Sequence, residues 1–322
     1  MKQRVQHALH VLLTALLISA TATLSSPVSA QAMDFSFGVI GQVIKTPHDD
    51  SPLAQAIAES DTNNLAFVVA NGFKRADESC SDQLYQRRRD LLDSAKNGLI
   101  LSLASGDWGD CRDASGRSAA VERLSRLREL FFVDEFSLGA SKIPVMRQSN
   151  ALTFRSYVEN ARWELGNILF AAINLPADNN RYRMEAGRNS EFEDRQIANR
   201  DWLRRIFAIA TRKKMAGIVL LCDGNPLLKP NAQRLFDSSG KRDGFAEIRQ
   251  QLISLAGKFP GKVLIIHNRP DSRNARPGDM AWHGNLGDLE LGSDWIRLGV
   301  KQGNPLMFTV TKGSLDTKET SQ

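Results

Sequence analysis

Apolar residues along the chain fall into short blocks separated by polar loops. Phe35, Phe37 and Val39 alternate with other residues between Asp34 and Ile40, which predicts a first strand. Leu65 to Ala70 predicts a second strand, and the apolar start of Gly98 to Cys111 a third that stops at Ser105-Gly106. Asn167 to Asn174, Ala216 to Cys222 and Lys262 to His267 are further apolar runs of strand length. Trp295 to Val300 and Leu306 to Val310, with Gln302-Gly303-Asn304 between them, read as a closing hairpin.

The intervening segments carry helical spacing. Ser51-Pro52 opens a helix to about Ser60. Ser81 caps one to about Lys96, with Leu84, Leu91 and Leu92 on its apolar side. Ser118 to Phe132 places Val121, Leu124, Leu127, Leu130 and Phe131 on one face. Asn199 starts a helix striped by Trp202, Leu203, Ile206, Phe207 and Ala210, and Phe245 to Lys258 forms another. Alternating strands and helices argue for α/β layering. The strand within Gly98–Cys111 is taken as central. Gly, Asn, Asp or His residues follow several strands, and five such loops could converge on one sheet edge, where open α/β sheets bind ligands. On that edge Asp107 and Asp110 face a site or cap backbone N–H groups of a polar turn. Asn179 and Asn180 suit a turn with φ > 0 or a phosphate-contacting loop.

Composition then narrows the setting. The 322 residues are 42% hydrophobic, ample for a packed core. Residues 1–30 read as a secretory signal peptide: Lys2 and Arg4, an apolar run from His10 to Ala20, then Val28-Ser29-Ala30 as a cleavage site. That run is shorter than the roughly 20 residues a membrane span needs. Residues 31–312 read as a single domain and 313–322 as a polar tail, giving a periplasmic or secreted protein with no transmembrane anchor after signal removal. Loss of Lys2 and Arg4 lowers the formal charge from +6 to +4. Arg87-Arg88-Arg89 and Arg212-Lys213-Lys214 read as solvated helix faces, which argues against nucleic acid. Export permits a disulfide. Cys80 and Cys111 lie in loops while Cys222 ends an apolar strand, so Cys80–Cys111 is the expected pair and Cys222 a buried free thiol.

Several catalytic patterns are missing. There is no Gly-x-Ser-x-Gly elbow, no Gly-x-Gly-x-x-Gly after a strand and no Cys-x-x-Cys pair, and Lys258 to Lys262 is not a P-loop. What remains is a set of carboxylates, Asn and His at strand ends, the donor types of a two-metal hydrolytic site. Cys80-Ser-Asp with its Arg-rich helix, Gly106-Asp107-Trp108-Gly109-Asp110-Cys111, Asn179-Asn180, the Trp202 helix leading to Asp223, His267 and the Trp295 strand occur in a telling order. In that order the chain resembles the calcineurin-like metallophosphoesterases, in an exported bacterial branch, from Phe35 to about Val310. The resemblance implies a four-layer α-β-β-α sandwich with metal loops at one edge.

The family's ligands carry over poorly. Where its first strand ends in Gly-Asp-x-His, this chain has Gly41-Gln42-Val43-Ile44. Its second strand ends in Gly-Asp, and here stands Asn71-Gly72. Its third loop carries Asn as a ligand, and here Asp107 runs directly into Trp108. Its last motif is His-Gly-x-x-His; His267 is kept, but Asn268 and Asp271 replace the Gly and second His. Of five histidines, His7 and His10 lie in the leader, leaving His48, His267 and His283. Without the bridging carboxylate, two dications a few ångströms apart repel with little compensation.

The resemblance thus implies a catalytically degenerate binding or scaffold protein, with no catalytic residue, no cofactor and an unknown partner. The alternative is a metal-dependent phosphoesterase with a rebuilt or mononuclear site, holding one divalent ion on His267, Asp107, Asp223 and Asp271. A further reading binds envelope anions through Arg181, Arg183 and Arg188 beside Asn179 and Asn180.

Overall fold

Twelve strands pair into two mixed sheets in the computed structural model, which describes residues 34–183, 189–228, 242–268 and 279–312. The leader, the polar tail, Asp271 and Arg188 lie outside the described residues. The strands are β1 (Phe35–Ile40), β2 (Val68–Asn71), β3 (Leu99–Ser102), β4 (Met146–Arg147), β5 (Ala161–Leu165) and β6 (Ile168–Ala172), then β7 (Gly217–Cys222), β8 (Lys262–Asn268), β9 (Met280–His283), β10 (Leu286–Leu291), β11 (Trp295–Val300) and β12 (Phe308–Lys312). The helices are α1 (Ser51–Asp61), α2 (Asp82–Asp93), the single turn α3 (Ser105–Trp108), α4 (Ala120–Phe131), α5 (Ser190–Arg212) and α6 (Ala246–Lys258).

The first sheet has the order β12-β11-β1-β2-β3, the second β4-β5-β6-β7-β8-β10-β9. β1, β2 and β3 run parallel, as do β6, β7, β8 and β10. Three apolar cores follow from strand alternation. Ile40, Val68, Ala70, Leu99 and Leu101 face α1, α2 and α4. Phe37, Val39, Val69 and Ile100 face Phe170, Val219, Leu221, Leu264 and Ile266 of the other sheet. Leu169, Ile218, Leu220, Val263 and Ile265 face α5 and α6. Phe37, Phe67, Trp163 and Phe170 fill the middle of the inter-sheet core with edge-on and stacked ring contacts.

Several expectations need correction. The third strand lies at the edge of its sheet, not its centre. That edge is covered by the residue 136–144 segment through backbone bonds between Leu99 and Leu138. The second strand starts at Val68: the Leu65 N–H turns back to the Asn63 carbonyl, and the Ala66 N–H then meets the Ser36 carbonyl of β1 as the chain joins the sheet. Val121 sits on the solvent side of α4 at 57% exposure. α5 begins at Ser190, well before Asn199. Its first half buries Arg195 and Asn199 against polar partners, so no long apolar stripe announces it. Arg88 is no solvated face: it is wholly buried, bonded to Asp50, Glu78 and the Phe73 carbonyl. β4, β5, β9 and β10 carried no expectation.

Cys80 and Cys111 form the expected disulfide, and Cys222 is free and buried. Burial pushes the Cys222 thiol up, with Asp223 and Asp288 adding to it. Among the described residues no helix is long and apolar enough to cross a membrane.

Candidate functional site

The carboxyl ends of the parallel strands from both sheets meet at one rim. Alternation decides what points there. Two residues beyond Val69, Ile100, Leu221 and Ile266 of the inter-sheet core stand Asn71, Ser102, Asp223 and Asn268. All four are buried, so the apolar inter-sheet layer ends in a polar one. Asn71 Nδ2 donates to the Cys222 carbonyl at 2.7 Å, and Asn268 Nδ2 donates to the Asn71 carbonyl at 3.1 Å. These two bonds tie β2 directly to β7 and β8.

Asp223 carries the other connections. Its Oδ2 accepts from Ser105 N at 2.6 Å and Ala177 N at 2.8 Å, and its Oδ1 accepts from Asn268 Nδ2 at 2.8 Å. Asp107 works the same way within the first sheet. Oδ1 accepts from Phe73 N and Lys74 N at 3.0 Å each, and Oδ2 from Ala104 N at 2.7 Å. It thereby caps α3 and fixes the turn after β2. Burial raises the Asp107 carboxyl to about 7, against the pull of those N–H donors and of Lys74; nearby Asp223 adds to the rise. Burial lowers the Lys74 ammonium, which donates to the Arg75 and Glu78 carbonyls.

His267 falls on the other face. It pairs in register with Cys222, whose neighbours Ile218 and Leu220 belong to the α5–α6 core. Its Nε2 lies 2.9 Å from Asp288 Oδ1 and its Nδ1 2.7 Å from the Asn268 carbonyl. Asp288 is held in turn by Asn225 Nδ2 at 3.3 Å. The imidazole is thus separated from Asp107 and Asp223 by the sheet itself. Among the described residues, no three His, Cys, Asp or Glu side chains gather as a metal group.

Asn179 and Asn180 form a left-handed turn, with φ of 45° and 52°. Their side chains hold the start of α6: Asn179 Oδ1 accepts from Gly244 N, and Asn180 Nδ2 donates to the Gly244 carbonyl. Arg195 Nη1 donates to Asn180 Oδ1 at 2.5 Å. Arg181 donates to the Gly109 carbonyl and lies 5.1 Å from the Trp108 ring centre. Arg183 pairs with Asp178 at 3.0 Å. Asp110 is half exposed, 3.9 Å from Arg181 and 4.0 Å from Arg183. His48 is exposed at φ 65° beside the α1 N-terminus.

Three oxygens at the rim keep unused acceptor capacity. Asn71 Oδ1, Ser102 Oγ and Asn268 Oδ1 are buried with no hydrogen-bond partner among the described residues. The sequence reading did not single out Ser102 or Asn71 as donors. The period-two register of each strand was the signal that would have found them. Compared with known proteins, the chain matches no family model and no curated protein.

Proposed function

We propose that the chain is an exported, catalytically degenerate protein on a calcineurin-like metallophosphoesterase scaffold, acting by binding or as a scaffold. Two sheets sharing one apolar core, with helices packed on each outer face, support the four-layer α-β-β-α reading. The Cys80–Cys111 disulfide beside the Asp107 loop supports export to an oxidising compartment, periplasmic or secreted.

One observation carries the loss of catalysis. Both rim carboxylates are engaged, Asp107 by backbone N–H groups and Asp223 by two backbone N–H groups and the Asn268 amide, and the strand-end imidazole faces away from them. What faces the inter-sheet rim unpaired is neutral amide and hydroxyl oxygen. Such a donor set does not fit a pair of divalent ions, which need deprotonated ligands to offset their mutual repulsion. The residues here therefore supply no metal-bound hydroxide. The anion reading loses support because Arg181 is engaged by the Gly109 carbonyl and Arg183 by the Asp178 carboxylate, while Arg188 lies outside the described residues.

Metal analysis of the purified protein, with hydrolysis of p-nitrophenyl phosphate under added Mn, Fe or Zn, tests this. The expected result is substoichiometric metal after desalting and no hydrolysis above background. Stoichiometric metal with activity lost in Asp223→Ala or His267→Ala establishes the metal-dependent phosphoesterase instead.

A further inference from the structure

A cleft of about 320 Å³ opens beside the carboxyl end of β1, lined by none of the Asp107–Asp223 rim residues. That volume is at the small end of ligand pockets, roughly 300–1,000 Å³. Its walls are the segment after β1, the first three turns of α1 and the turn between β10 and β11. Gly41 makes this arrangement possible: a Cβ there would stand 2.3 Å from the Gly292 carbonyl. The Gly41 N–H donates to the Asp294 carbonyl and seats the turn over the strand end.

The lining has a definite chemistry. Val43, Ala56 and Trp295 are buried and, with Pro52, form an apolar floor. The Trp295 ring is fixed by Nε1 donating to Glu59 Oε2 at 2.8 Å, while Gln55 Nε2 occupies Glu59 Oε1. Lys45 and Asp294 stand exposed on the rim. Among the described residues neither charged group forms a salt bridge. Only their carbonyls are used, by Arg75 and Gly41. Lys45 and Asp294 therefore face one cleft without closing on each other, beside the Glu59 carboxylate, whose two oxygens are held by Trp295 and Gln55.

We infer that this cleft binds a small zwitterion with an apolar side chain, a free α-amino acid of about the size of leucine. Its carboxylate meets the Lys45 ammonium, its ammonium meets the Asp294 carboxylate, and its side chain lies on Val43, Ala56 and Trp295. A ligand carrying one charge satisfies only one side of the rim. This inference is independent of the phosphoesterase reading, which fails on bound metal and not on amino-acid binding.

Calorimetric titration of the full chain with L-leucine, L-leucinamide and 4-methylpentanoate tests it. Leucine is expected to bind, with each singly charged analogue about tenfold or more weaker, the size of one charge-assisted hydrogen bond. Lys45→Ala should erase the preference for leucine over leucinamide, and Asp294→Ala the preference over 4-methylpentanoate. Both positions are exposed and their backbone bonds survive substitution, so each variant should fold. No binding of leucine at millimolar concentration, or equal binding of all three probes, overturns the assignment. So does leucine affinity unchanged in both variants.

Discussion

The side chains of His267 and Asp223 project from opposite faces of one sheet, although they stand at the ends of adjacent strands. Asp223 reaches across to Ser105, just past the end of β3 in the other sheet, and His267 turns to Asp288 on the helix side. No rotamer change brings an imidazole and a carboxylate together through a sheet. His267→Ala should therefore leave metal content and phosphoester hydrolysis unchanged. It should lower stability by about 1–3 kcal/mol, because Asp288 loses its partner. Urea titration of the two proteins measures the difference.

Asp223 gathers three donors, two of them backbone N–H groups from different segments. Asp223→Ala strands all three in a buried rim, and a loss of roughly 2–4 kcal/mol is expected. Asp223→Asn keeps one acceptor oxygen and should fall between the two proteins. Equal midpoints for wild type and Asp223→Ala in urea would show that the carboxylate does not hold the sheets.

Asp107 gives a pH dependence. Its folded carboxyl is raised to about 7 while the unfolded chain titrates near 3.8, so the folded state holds an extra proton between these values. Stability from this group is complete below the unfolded value and declines as pH rises toward 7. Asp107→Asn cannot titrate there. The stability difference between wild type and Asp107→Asn should shrink from pH 4 to pH 7 and then level off, as read by thermal melts across that range.

Arg88 is buried between Asp50 and Glu78. Removing its charge in Arg88→Ala leaves buried carboxylate unpaired, with an expected cost of about 3–5 kcal/mol. Added salt should change that cost little, since buried pairs are weakly screened. A cost that disappears in molar salt would place the pair in solvent.

Cys80 and Cys111 are 31 residues apart, and their bond closes α2 and the Asp107 turn into one loop. Chain-entropy arguments give about 3.7 kcal/mol for a loop of this length. The Cys80→Ala/Cys111→Ala variant should lose that much in urea titration, and reductant should have no further effect on it.

Most of the element order was legible from apolar blocks, because alternation and helical spacing survive in β1, α1, α4 and the β11–β12 hairpin. What stayed hidden has specific causes. β7 and β8 are buried on both faces, so their apolar runs are continuous and do not reveal which way a terminal residue points. His267 and Asp223 therefore looked like neighbours at one site. The early half of α5 was hidden because Arg195 and Asn199 are buried through polar partners instead of apolar contact. Arg88 was misread for a related reason: two carboxylates and a carbonyl, distant in sequence, make its burial tolerable. Asp107 and Asp223 were found by type and position, and their backbone partners became visible only in three dimensions.

The amide bonds from Asn71 to the Cys222 carbonyl and from Asn268 to the Asn71 carbonyl have a mechanical consequence. They act as a latch at the polar end of an otherwise greasy seam. Apolar surfaces can slide past each other at little cost, but these bonds fix the stagger of one sheet on the other. Either sheet can part from its mate at this end only after the latch opens, so the seam's apolar interior is held closed from its polar end.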